Sequence, residues 1–373
     1  MHPIVEELQS LITANRWQNA FRLAINSAQA TQMPGLDRYR DLDSLLGTLN
    51  ELVTWVPRVI SDPRHAFDTP IQFYFILNQP PLMALQCPIR PGDTATSLTP
   101  LSAWMVKFAR VFGSYLDTPE SAAGIDTFKS LIDWNEYIPP PSGFLTFNQF
   151  FARHVRPGRR PIASLNDDSI IVSPADSTFI GQWHINDGSE IAVDEPQLDL
   201  KGLKWSIHQL LDGSAYTDRF KGGIFTHSYL SVTDYHRWHS PVQGEVLEAR
   251  VINGQVYMDV RAKVERVNGK DETVADIVDS TGFQFVQTRG LIILDSPIGL
   301  VACLPVGMAL VSSVVITAEV GGTLHKGEEI GFFQFGGSDF VMVFQRDANV
   351  ELVCLPNVHY KQGSHIGNAH TVR

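Results

Sequence analysis

Apolar positions recur with a helical period through the first third of the chain. Ile4, Val5, Leu8, Leu11 and Ile12 fall on one helical face, and Leu42, Leu45, Leu46, Leu49, Leu52 and Val53 repeat the pattern. Thr99-Pro100 precedes LSAWMVKFARVFGSYL. Thr99 offers a cap for the first free N–H groups, and Pro100 suits a first helical turn. The run Pro139-Pro140-Pro141-Ser142-Gly143 cannot continue a helix and marks a boundary. A helical N-terminal domain is expected over 1–140 and a second domain over 141–373.

The texture then changes. From 168 to 350 the chain consists of short runs rich in Val, Ile, Phe and Thr, such as SIIVSPA, GGIFTHSYLSV, GEVLEARVING, QVYMDVRA, GLIILDS and ALVSSVVITAEV. Gly, Pro, Asp and Asn punctuate them, which predicts a mainly antiparallel β domain. Lys201–Leu211 reads as a short helix within it, and 262–280 as a loop or an exposed hairpin. The uncharged stretch Ser296–Ala318 is long enough to cross a bilayer. Its prolines and abundant Val instead predict two buried strands around a turn at Pro305-Val306-Gly307, with no transmembrane segment. The expected fold class is α+β, a helical region followed by a β catalytic domain.

Composition changes this picture little, and charge narrows it. The 373 residues are 44% hydrophobic and 18% charged, ample for a buried core, and carry a net charge of -11. Such an acidic chain is a poor partner for nucleic acid, whose phosphates call for Lys and Arg. Cys87, Cys303 and Cys354 are too scattered for a disulfide framework or a zinc site. They read as small buried hydrophobes in a reducing compartment. The acidic N-terminus, MHPIVEELQSLI, is no signal peptide. A cytoplasmic protein without a bound metal is expected.

Three segments carry candidate chemistry: Ser173-Pro174-Ala175-Asp176, Asp234-Tyr235-His236-Arg237-Trp238-His239-Ser240-Pro241 and Phe333-Gln334-Phe335-Gly336-Gly337-Ser338-Asp339. Singly, each has an ordinary structural explanation. His236 and His239 lie three apart in strand-like sequence, so they point to opposite faces and do not chelate together. Together the segments have a different meaning. A serine behind two glycines can bring its Oγ to its own upstream carbonyl, because glycine lacks the Cβ that would obstruct the approach. Attack on the Gly337 carbonyl turns a peptide into an ester and needs a base, for which an imidazole held by a carboxylate is suited. Elimination then breaks the chain between Gly337 and Ser338, giving 1–337 and 338–373 and leaving the former serine as a pyruvoyl group.

The block LHKGEEIGFFQFGGS resembles the processing site of phosphatidylserine decarboxylases, DYHRWHSP their histidine motif, SPADS their aspartate motif, and FNQFFARHVRPGRRPI the opening of their catalytic domain. The resemblance implies that Asp176 and His239 form a triad with Ser338 for self-cleavage. It implies that His236 protonates the carbanion left by carbon dioxide, and that the covalent pyruvoyl cofactor derived from Ser338 forms a Schiff base with the substrate amine. It also implies a homodimer. Asp339 departs from the family's usual Thr, and would either tune cleavage or contact substrate.

The segments FYFILNQPPL and TPLSAWMVKFARVFGSYLDTPES resemble the helical domain of the family's soluble, mostly fungal branch, which includes an L-tryptophan decarboxylase. That implies a free, aromatic amino acid as substrate. Trp238 between the two histidines fits core packing and substrate contact equally. The lipid reaction on phosphatidylserine is the alternative. A more distant one is a non-catalytic protein on a related scaffold, with Lys326 as the lysine of a biotinyl- or lipoyl-like carrier.

Overall fold

The computed structural model describes residues 1–59, 67–92, 97–195, 200–267, 269–278, 282–311, 313–335 and 338–370. Gly336 and Gly337, the two glycines expected immediately before the scissile bond, lie outside the described residues. The chain is α+β, with helices concentrated before residue 152 and strands after it. The helices are α1 (Pro3–Ala14), α2 (Gln18–Ala30), α3 (Leu42–Leu52), α4 (Asp68–Leu77), α5 (Pro80–Met83), α6 (Pro100–Tyr115), α7 (Phe147–Phe151) and α8 (Ile207–Leu211). The periodic residues of α1 and α3 face inward, with Ile4, Val5, Leu8, Ile12, Leu45, Leu46, Leu49 and Leu52 buried. Thr99 caps α6 by accepting from the Ser102 N–H, with Pro100 in the first turn.

Eleven strands frame the site: β1 (Ser177–His184), β2 (Ile224–Leu230), β3 (Arg237–His239), β4 (Gly244–Ile252), β5 (Arg289–Ser296), β6 (Gly299–Gly307), β7 (Val314–Ile316), β8 (Thr323–Leu324), β9 (Glu329–Phe333), β10 (Ser338–Phe344) and β11 (Val358–Tyr360). Eight form one antiparallel sheet in the order β8-β4-β5-β6-β10-β2-β1-β11. A smaller sheet, β7-β9-β3, joins the end of the histidine strand to the segment leading into Ser338. Both faces of the large sheet are covered. Cys303, Phe340 and Met342 belong to a core shared with the N-terminal helices, and Leu304, Val341 and Val343 to a second core on the other face. Two-sided burial explains why these strands read as unbroken apolar runs.

That burial also corrects the turn expected at Pro305-Val306-Gly307. β6 runs straight through it, with every residue from Gly299 to Gly307 buried. Proline cannot donate to a sheet ladder. The pairing of β6 with β5 accordingly passes from Val306–Arg289 to Cys303–Ile292 without a pair at Pro305. Gly290 makes room for the ring, since a Cβ there would lie 2.9 Å from Pro305 Cγ. The helix expected over Lys201–Leu211 is half strand: Leu200–Ser206 pairs with Glu190–Glu195 before α8 begins. Of the two readings for 262–280, the hairpin is found, between Val260–Val267 and Lys270–Ile277. In QVYMDVRA only the end is strand, from Val260 onward. The triple proline is bridged by a strand pair, Tyr137–Ile138 with His154–Val155. Among the described residues no helix is long and apolar enough to cross a membrane.

Candidate active site

Ser338 opens β10 between Leu230 of β2 and Gly307 of β6, and has no exposed surface. His236 follows β2 by a short loop, and its backbone carbonyl accepts from the Phe333 N–H at the end of β9. The strand pairings thus bring the two residues together from both sides. His236 Nε2 lies 2.9 Å from the Ser231 carbonyl oxygen. A carbonyl can only accept, so Nε2 carries the hydrogen and Nδ1 presents its lone pair. Nδ1 is 3.3 Å from Ser338 Oγ, at the long end of hydrogen bonding, and the serine hydroxyl donates to it.

Two residues of the FNQFFARH segment hold this arrangement. The Phe151 ring stacks on the His236 imidazole at 3.9 Å. Arg153, buried, donates to the Thr233 and Asp234 carbonyls at 2.7 and 2.9 Å, with its guanidinium 4.2 Å from the Tyr137 ring centre. Burial, reinforced by the Arg153 charge, pushes the His236 pKa down to about 3.

The other two candidates have different partners. His239 Nδ1 donates to the Gly327 carbonyl at 2.8 Å, leaving Nε2 to accept from the Tyr235 hydroxyl at 3.0 Å. Burial lowers the His239 pKa, opposed by the Gly327 carbonyl and by the charges of Glu329 and Asp176. Asp176 Oδ1 accepts from Arg160 Nε and from the Gln362 N–H, each at 2.8 Å, and Oδ2 from Arg160 Nη2 at 2.5 Å. Arg160 also reaches Glu136 at 3.0 Å. The directly bonded Asp176–His239–Ser338 triad is therefore not what this state contains. The acceptors of Asp176 are filled by Arg160 and Gln362, the ring of His239 is held by Gly327 and Tyr235, and the imidazole on Ser338 belongs to His236.

Arg153, Arg160 and Phe151 were not singled out from the sequence. The available signal was two arginines seven residues apart in a segment of buried aromatics. A guanidinium in such a place must be fully partnered, and its partners are then structural or catalytic. Asp339 points to the opposite face of the sheet from Ser338, as alternation along a strand requires. There its Oδ2 lies 2.9 Å from Gln284 Nε2 and 3.2 Å from His227 Nε2, all three residues fully buried. Its side chain thus faces a buried polar cluster on the side of the sheet away from Ser338. Trp238 packs against Phe333 and Phe340 with no exposed surface, which settles it as core. Lys326 is not the exposed lysine a carrier domain needs: it is buried and donates to the Ser164 and Asp167 carbonyls.

The sequence pattern of phosphatidylserine decarboxylases matches residues 147–368, from the first residue of α7 to Asn368. The chain belongs to the phosphatidylserine decarboxylase family. It is 34% identical over 245 residues to phosphatidylserine decarboxylase proenzyme 2 of Oryza sativa, covering 63% of this chain and 36% of that protein. It is 33% identical over 214 residues to Decarboxylase iboD of Amanita muscaria, covering 54% of this chain and 59% of that protein. A phosphatidylserine decarboxylase proenzyme from Fusobacterium nucleatum is 29% identical over 241 residues, covering 63% and 72%. The chain spans 36% and 22% of the first two curated relatives it matches, so much of their length has no counterpart here.

The family implies a pyruvoyl group made from a serine. The residues present fit that group: Ser338 is fully buried at a strand start, and a proton-free imidazole nitrogen faces its hydroxyl.

Proposed function

We propose that this chain is a self-processing decarboxylase that removes the α-carboxyl of a free, tryptophan-like L-amino acid, using a pyruvoyl group formed from Ser338. The observation that carries the reading is the Ser338 hydroxyl held on His236 Nδ1 inside a family-matched segment. In processing, Ser338 Oγ attacks the Gly337 carbonyl carbon and the peptide nitrogen leaves, giving an ester. Loss of the Cα proton expels the Gly337 carboxylate. Hydrolysis of the resulting dehydro residue by one water releases ammonia and leaves the ketone.

His239 is the better proton acceptor of the two imidazoles. Burial and the Arg237 cation lower its pKa, but the Gly327 carbonyl and the charges of Glu329 and Asp176 favour imidazolium, whereas at the more deeply buried His236 the Arg153 cation adds to the burial. Taking the Ser338 proton requires the His239 ring to exchange its Tyr235 contact for the serine. His236 stays neutral, orients the hydroxyl and remains beside the reacting carbon. A proton acquired at its Nδ1 is loosely held, which suits delivery to that carbon. The pyruvoyl ketone supplies the electron sink for the pair left when carbon dioxide departs.

The resemblance of the N-terminal helices to the soluble branch supports a free amino acid. The names of several relatives support a second reading, phosphatidylserine as substrate. Incubation with tryptophan, phenylalanine, tyrosine or phosphatidylserine vesicles, with carbon dioxide measured, separates them. Release from tryptophan is expected, and release from the lipid alone would refute the preferred substrate class.

A further inference from the structure

We propose that a cavity between α6 and β4 receives the substrate side chain, so that α6 decides which amino acid is accepted. This rests on the decarboxylase reading above. The cavity has a volume of about 580 Å³. That lies within the roughly 300–1,000 Å³ range that encloses small molecules, and two long acyl chains would overfill it.

Its position relative to Ser338 is set by two routes. Gln334, in the segment entering the cleavage site, lines the cavity. So does Thr288, whose carbonyl accepts from the Gly307 N–H at 3.0 Å, and Gly307 faces Ser338 across β6 and β10. Helix α6 is tied to the same segment by one side chain. Asn148 Nδ2 donates to the Gly113 carbonyl and to Asp117 at 3.2 and 3.0 Å, while its Oδ1 accepts from the Phe335 N–H at 3.1 Å. Asn148 thereby ties α6 to the segment entering Ser338.

The walls pair an apolar half with polar groups, among them Asp117, Asn253, Thr288 and Gln334, and so suit a large, flat side chain that carries a hydrogen-bonding atom. Val106 and Ala109 of α6 face Val251 of β4 and Val314 of β7 across the cavity. Arg110 stands at the same wall and makes no ion pair with the described residues. A guanidinium there can lie over an aromatic face. The matched family segment begins at residue 147, so this wall comes from outside it. Helix α6 thus adds a wall from outside the family segment, while Val251, Thr288, Val314 and Gln334 supply others from within it. Gly113 opens onto empty space, with no atom within 4 Å of where a Cβ would stand.

The test fills the cavity from either side, with Gly113→Leu on α6 and Val251→Phe on β4. Both variants are expected to self-cleave like the parent chain. Each should lower kcat/KM for L-tryptophan at least tenfold, through KM. Titration calorimetry with L-tryptophan on the uncleaved Ser338→Ala chain gives a readout independent of turnover, and adding either filling substitution should weaken binding at least tenfold. If the parent decarboxylates tryptophan and both filled variants keep kcat/KM and binding within twofold, the cavity assignment alone is wrong. If the cleaved parent acts on phosphatidylserine vesicles and on no free amino acid, the substrate reading fails and takes the cavity assignment with it.

Discussion

The Ser231 carbonyl fixes which nitrogen of His236 carries hydrogen, and so fixes what the Ser338 hydroxyl meets. The two histidines then differ by their charged surroundings. His236→Ala is expected to yield a cut chain that releases no carbon dioxide, and His239→Ala an uncut one, both read on a denaturing gel. An uncut His236→Ala chain would transfer the proton-accepting role to His236. The buried imidazole also makes stability depend on pH. Its folded-state pKa is depressed to about 3 from 6.5, so the unfolded chain binds more protons between those values. The stability it confers is complete above pH 6.5 and is lost as pH falls towards 3, a change on the order of 5 kcal/mol. Urea unfolding of the Ser338→Ala chain at stepped pH should show this slope, and His236→Gln should flatten it. At this scale the sequence singled out Ser338, His236, His239 and Asp176 and not whom they touch. Asp176 and His239 are three-dimensional neighbours of Arg160 and Tyr235, a pairing no linear spacing encodes.

At the scale of elements, β10 is pinned from beneath. Asp339 sits in a fully buried cluster with His227 and Gln284, directly after Ser338. Removing one partner from a buried hydrogen-bonded cluster leaves the others unsatisfied and costs about 1–3 kcal/mol. Asp339→Ala should lose stability of that order by urea unfolding, and Asp339→Asn, which keeps a hydrogen-bonding acceptor, should lose less; equal stability of Asp339→Ala and the parent chain would remove the cluster's structural role. Elements with strong local signals were legible: the amphipathic stripes of α1 and α3, and the Thr99-Pro100 start of α6. The misreadings fall where tertiary burial overrides local preference. Pro305 lies within a strand because Gly290 makes room for its ring, and Leu200–Ser206 is strand because Glu190–Glu195 lies beside it.

Across the whole molecule, the N-terminal helices and one face of the large sheet share a single core. Phe335, just ahead of the scissile bond, is surrounded by Trp55, Phe67 and Phe112 from the helical region and by Phe147 and Phe151 from the family segment. The helices therefore help to place the segment entering Ser338. Phe112→Ala empties a fully buried site and should cost about 3–5 kcal/mol. Time-resolved gels should also show slower self-cleavage, and cleavage at the parent rate would show that the aromatic cluster is packing alone. The two-part organisation was legible from the change in hydrophobic period. The shared core was not, because apolar faces in a sequence do not name their partners.

The most direct measurement is the intact mass of the purified protein under denaturing conditions. Two polypeptides are expected, 1–337 and the 36 residues 338–373. The smaller should be lighter by one ammonia than a peptide beginning with serine, and should resist stepwise amino-terminal sequencing. A preparation that releases carbon dioxide from substrate while its chain remains whole, with an intact Ser338 hydroxyl, would contradict the mechanism.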